Sequence, residues 1–199
     1  MYSWNIDDRF SPNQALLIQA AGLDLEAYLN DITSGHGMQW IIARTGGIRI
    51  HRGGLPAAIA AQLTGLPTSL VFPSNDIWLA DEFDRFHLPK RHFLHELGHV
   101  VENKLPARRF LPPTIFGGGA SDRLTGILGG KPAGWRFKNG TSGIPEQFQW
   151  KGPGIYGNHS SADYFAEAFS WLPYNATVLP DPAVADWFFR EIFLFEGSV

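Results

Sequence analysis

Apolar residues recur at helical spacing in several stretches of the chain, with short β-rich runs between them. After Ser11-Pro12, the positions Ala15, Leu16, Leu17, Ala20, Leu23, Leu25, Tyr28 and Leu29 predict a helix, interrupted or bent near Gly22. Gln39 to Ala43 and Ile48 to His51 are β-rich and flank Thr45-Gly46-Gly47, which reads as a hairpin. Pro56 to Leu63 predicts a short Ala-rich helix that opens on proline and stops at Gly65. Leu70 to Leu79 carries a broken strand pattern. Its best part is Ile77-Trp78-Leu79, a candidate edge strand flanking a cleft.

Pro89 opens a central helix whose apolar stripe is Phe93, Leu94, Leu97, Val100, Val101 and Leu105, and Pro106 ends it. From Pro106 to Ser160 glycine and proline become dense, predicting a long loop region in which the Gly-rich stretch 117–130 is a candidate lid. Order returns with a helix over Ser161 to Leu172, and Asp181-Pro182 opens a last helix to about Phe195. The pattern is α+β. It has no internal repeat and no clear boundary, so residues 1–199 are read as a single domain. Residues 1–105 supply the sheet and central helix, and 106–199 form a loop-rich and helical lobe.

Composition narrows the chemistry. With 199 residues, 44% of them hydrophobic, and 7 Trp and 15 Phe, the chain can bury a core without staples. It has no cysteine, so any metal is held by His, Asp or Glu. The 16 basic and 19 acidic residues balance to −3, which does not suggest a nucleic-acid partner. No stretch reaches the ~18 apolar residues of a membrane span. The first eight residues lack the basic start and apolar run of a signal peptide. Sequons at Asn139, Asn158 and Asn175 are short enough to arise by chance.

The central helix carries His95-Glu96-Leu97-Gly98-His99. Side chains four apart lie one turn above each other on one face, so both imidazoles can reach one tetrahedral zinc. Glu96 follows the first histidine, where it can take a proton from the metal-bound water. Gly98 lets another segment approach the helix. Two histidines and a glutamate can also merely decorate a helix; the apolar stripe around them is the context that the metal reading requires. The longer motif, with a glycine at position 102 and a third histidine at 105, fails, because the chain has Glu102 and Leu105. His92 lies one turn too early and reads as a rim or solvent residue. His36, His51 and His87 have no spacing that recommends them.

A catalytic zinc needs a third protein ligand. Asp163 and Glu167 are also four apart, on a helix rich in Tyr164, Phe165, Ala166, Ala168, Phe169 and Trp171. Carboxylates in such an apolar segment are costly to bury unless paired or bound to metal. The proposed division has Asp163 bind zinc and Glu167 accept from the free nitrogen of a ligand histidine.

His95-Glu96-Leu97-Gly98-His99, Tyr156 and Asp163-Tyr164-Phe165-Ala166-Glu167-Ala168-Phe169 together resemble the anthrax lethal factor-like metallopeptidases, which include the Pro-Pro endopeptidases. The resemblance covers about residues 91–172, without the Gly/Pro loop inside it. In that family a tyrosine stands seven residues before the third zinc ligand, as Tyr156 stands before Asp163. The resemblance implies a compact zincin-like domain with a twisted mixed sheet, an active-site helix and a mostly helical lobe that delivers the third ligand. It implies that Tyr156 stabilises the developing oxyanion, and it points toward secretion. Asp163 departs from the family's glutamate and is one methylene shorter. If its helix does not come close enough, Glu167 is the ligand instead. The expectation is therefore a one-zinc endopeptidase acting on a peptide or protein substrate, with Glu96 as base. A zinc hydrolase of a non-peptide amide and an inactive, metal-retaining binding or toxin-like domain are the rival readings.

Overall fold

The first helix starts where its cap is complete. In the computed structural model Ser11 accepts from the Gln14 amide through Oγ at 3.3 Å, and Gln14 Oε1 accepts from the Ser11 amide at 3.1 Å. This reciprocal box precedes helix α1, Pro12–Ile32. Gln14 Nε2 also donates to Asp81 O and Asp84 Oδ1, both at 2.8 Å, tying the cap to a distant loop. The structure describes residues 4–33, 35, 37–54, 70–72, 75–86, 88–104, 124, 161–175 and 182–194. The helix expected at Pro56–Leu63, the candidate lid at 117–130 apart from the buried Leu124, Tyr156, His36 and His87 all lie outside these residues.

Helix α1 runs through Gly22 without the expected interruption. Ile18, Ala21, Leu25 and Leu29 form a fully buried stripe on either side of it. That burial outweighs the ~1 kcal/mol that glycine costs a helix relative to alanine.

The hairpin expected across Thr45-Gly46-Gly47 is not formed. Gly37–Thr45 is helix α2, so Gln39 to Ala43 is helical rather than extended. The buried positions Met38, Ile41 and Thr45 recur at helical spacing, and only that conformation puts all three on one side. The helix is tied at both ends. Gly37 N donates to Asn30 Oδ1 at 3.1 Å, and the Asn75 side chain donates to Thr45 O.

Only the second half of the expected hairpin is a strand. Strands β1 (Asn5–Ile6), β2 (Arg49–Arg52), β3 (Leu70–Phe72) and β4 (Asp76–Leu79) form one sheet in the order β1-β2-β4-β3. The pairs β1–β2 and β2–β4 are parallel, and β3 joins β4 antiparallel. Ile77 to Leu79 is therefore an interior strand, and the antiparallel edge is β3. The chain reverses between β3 and β4 next to Asn75, whose φ of 68° suits asparagine better than most residues. Ile50, Ile77 and Leu79 point into the core, while Arg49, His51 and Trp78 lie on the other face. On that face Asp76 accepts from Arg49 and His51, each at 2.7 Å, and the His51 ring stacks on Trp78 at 4.2 Å. His51 is thus a structural residue.

A 3-10 turn, Phe83–Arg85, leads to helix α3, Pro89–Lys104. Its bounds agree with the proline-bracketed helix expected from the sequence. Helix α4, Ser161–Asn175, extends past the expected Leu172 and carries Pro173 in its last turn. Helix α5, Pro182–Trp187, continues as a π-helical segment, Phe188–Leu194. Phe165 and Phe169 of α4 meet Trp187 and Phe188 edge-on or tilted, at 4.9–6.3 Å between centroids. Helices α1, α3, α4 and α5 contribute to one buried cluster with the inner face of the sheet. The architecture is mixed α+β with a small sheet and mostly helical content. Among the described residues, no helix is long and apolar enough to cross a membrane.

Candidate metal centre

The centre forms where α3 and α4 run side by side. Helix α3 presents Arg91, His95 and His99, each four residues from the next, and so one above another. Helix α4 presents Asp163, Glu167 and then Ser170 and Trp171. His99 meets Asp163, His95 meets Glu167, and Arg91 meets Glu167, Ser170 and Trp171. As numbers fall on α3 they rise on α4, so the helices are antiparallel and their polar ladders are in register. Gly98 sets the spacing. A Cβ there would stand 2.8 Å from Ala166 Cα and 3.2 Å from Ala166 O. The glycine lets the two backbones come together at the level of the histidines.

His95, His99 and Asp163 each offer one ligand atom, and the three atoms lie within 4.8 Å of one another. His95 Nε2 is 3.2 Å from His99 Nε2, and His99 Nε2 is 3.4 Å from Asp163 Oδ1. The edge of a tetrahedron of donors ~2.0–2.1 Å from zinc is about 3.3–3.4 Å. The donor set therefore fits a zinc-sized ion. Asp163 reaches the cluster despite its short side chain because α4 lies against α3 at Gly98.

The tautomers follow from the outer contacts. His95 Nδ1 is 2.9 Å from Glu167 Oε2. A carboxylate accepts, so Nδ1 carries the hydrogen; in the neutral ring that metal binding requires, Nε2 then has its lone pair aimed at the ligand cluster. Glu167 is 3% exposed, and its other oxygen, Oε1, accepts from Arg91 Nη1 at 2.5 Å. Both its oxygens are thus engaged away from the ligand cluster. Burial works to raise the Glu167 pKa, but the bond to His95 and the charges of His95 and Arg91 outweigh it, and the carboxyl sits below its ordinary value. For His99 burial works to lower the pKa. The bond to Asp163 and the carboxylates of Glu96, Asp163 and Glu102 outweigh it, so its proton is held above the ordinary range.

Glu96 is 6% exposed, and its charge acts on both His92 and His99. His92 lies outside the ligand group. Its ring meets Phe86 edge-on at 4.8 Å, and burial lowers its pKa. The structure thus brings together His95, His99, Asp163 and Glu167 from the residues singled out in the sequence, while Tyr156 is outside the described residues. Sequence reasoning passed over Arg91 and Ser170 and took Trp171 only as part of the apolar packing of its helix. The signal was present in the spacing, since Arg91 precedes His95 by one turn and Trp171 follows Glu167 by one turn.

The chain matches no known protein family, and no curated protein and no solved structure matches it.

Proposed function

We propose that this chain is a zinc-dependent endopeptidase with a zincin-like arrangement, in which α3 is the active-site helix and α4 delivers the third ligand. The convergence of His95, His99 and Asp163 from two helices, backed by Glu167 on His95, carries this reading. The sequence resemblance to the lethal factor-like metallopeptidases agrees with it. His95, His99 and Asp163 would hold the ion, and Glu167 is the outer partner rather than the ligand.

Bound there, zinc would supply Lewis acidity, polarising a scissile carbonyl and lowering the pKa of water toward ~7. Glu96 is the base of this scheme. Its carboxylate takes the proton of the attacking water and hands it to the leaving amine. Glu96 is buried beside the histidines, and a site that holds a metal only for structure has no use for a base there. The family resemblance, through the seven-residue spacing from Asp163, assigns Tyr156 to the developing oxyanion.

Digestion of a peptide library by the zinc-loaded chain, read by mass spectrometry with and without a chelator, tests this function. Cleavage that the chelator abolishes is expected. Stoichiometric zinc with no peptide cleaved would refute the peptidase reading and favour hydrolysis of another amide or an inactive metal-holding domain.

A further inference from the structure

Arg91 is held on several sides by α4. Its Nη1 donates to Glu167 Oε1 at 2.5 Å and to Ser170 Oγ at 3.2 Å, and its guanidinium carbon lies 4.4 Å from the centroid of the Trp171 ring. Ser170 donates its own hydroxyl hydrogen to Glu167 O at 2.7 Å, which leaves its lone pairs to face Arg91. The side chains are nearly closed to solvent, 13% exposed for Arg91 and 4% for Glu167. On the far side of the carboxylate, Oε2 accepts from His95 Nδ1.

We propose that Arg91 is a positioning residue that fixes His95 for metal binding by clamping Glu167 between its guanidinium and the imidazole. The proposal rests on the metal reading of the site. A carboxylate bound only by one imidazole N–H is free to turn about its terminal torsions. A charge-assisted bond to its second oxygen removes that freedom and sets the plane in which His95 Nδ1 must donate. Arginine suits the task because one planar group serves two oxygens and a ring face together. A lysine ammonium can supply the charge but not the stack on Trp171. The clamp also keeps Glu167 turned away from the ligand cluster, which leaves that place to Asp163.

The test uses the full-length chain with Arg91→Met, Arg91→Lys, Glu167→Gln and the Arg91→Met/Glu167→Gln double variant. Zinc affinity is measured by competition with a chromophoric chelator, and the His95 tautomer by 15N NMR of the imidazoles. Arg91→Met is expected to weaken zinc binding by about 10–100-fold, the usual cost of losing an outer partner. It should also replace the single Nδ1–H form of His95 with a mixture. Arg91→Lys should recover part of the loss, and the double variant should lose little more than the worse single one, since both act through one contact. A lowered melting temperature with wild-type zinc affinity and an unchanged tautomer would show Arg91 to be merely structural and would overturn the proposal. If Arg91→Met does not fold, Arg91→Lys decides: several-fold weaker zinc binding supports the clamp, and wild-type binding overturns it. If the wild-type chain binds no zinc, the metal reading falls, and the tautomer comparison still decides the role of Arg91.

Discussion

At the scale of single residues, the centre is a matter of side-chain length and lone pairs. Asp163 has one methylene fewer than glutamate, and its Oδ1 still comes within 3.4 Å of His99 Nε2. Glu167, one turn later on the same face, has its oxygens spent on Arg91 and His95. Asp163→Ala is therefore expected to weaken zinc binding by more than the roughly 10–100-fold that loss of an outer partner costs. Metal analysis after dialysis checks this, and full zinc retention would assign the third ligand elsewhere. The four residues His95, His99, Asp163 and Glu167 were legible in the sequence because metal-ligating types stood four apart on helical stretches. Spacing on one helix cannot say which of two carboxylates faces inward. That depends on the register of α4 along α3, a tertiary fact. Arg91 went unread for another reason: arginine is not a ligand type, and its role appears only when its partners on α4 are known.

At the scale of elements, the α3–α4 contact decides the site. Gly98 is a point of close approach, and any Cβ there meets the Ala166 backbone at 2.8 Å. Gly98→Ala gains a little helix propensity but forces the helices apart. The expected result is a net loss of about 1–3 kcal/mol in unfolding free energy, as for overpacked cores, together with weaker zinc binding. Denaturant titration and a zinc competition assay check the two parts. A variant as stable and as zinc-avid as the wild type would mean that the backbones are not in contact. The long amphipathic helices were legible from their periodicity and prolines. The segment from Gln39 to Ala43 was not, because Trp40, Ile41 and Ile42 suit a strand as well as a helix. Its burial pattern and its ties to Asn30 and Asn75 settle the choice, and both ties come from outside the segment. The position of β4 inside the sheet likewise depends on β3 pairing with it, which a strand pattern does not announce.

At the scale of the whole molecule, one buried cluster joins the helices of both halves to the sheet, and the site lies between two helices that contribute to that cluster. Two titrations follow, with opposite signs. Glu167 has a folded pKa below its ordinary 4.5. Its ionised form stabilises the fold fully above that value, and the contribution fades as pH falls through the depressed folded value. His99 has a folded pKa above its ordinary 6.5. In the metal-free chain its proton stabilises the fold below 6.5, and this is lost as pH rises through the raised folded value. Zinc must displace that proton. Zinc affinity should therefore begin to fall, as pH is lowered, at a pH above 6.5. Calorimetric titration with zinc from pH 8 to 5 reads this directly. An affinity that holds constant down to pH 6 would contradict the coupling of His99 to the carboxylates around it.

The proposed function has a carboxylate beside a three-ligand zinc centre drive peptide hydrolysis. It is tested most directly by measuring zinc content and peptide turnover in Glu96→Gln beside the wild type. Glutamine keeps the size of the side chain and removes the base. The expected result is unchanged zinc with turnover lower by at least about 10²–10⁴-fold. Wild-type turnover in a zinc-loaded Glu96→Gln chain would contradict the claim.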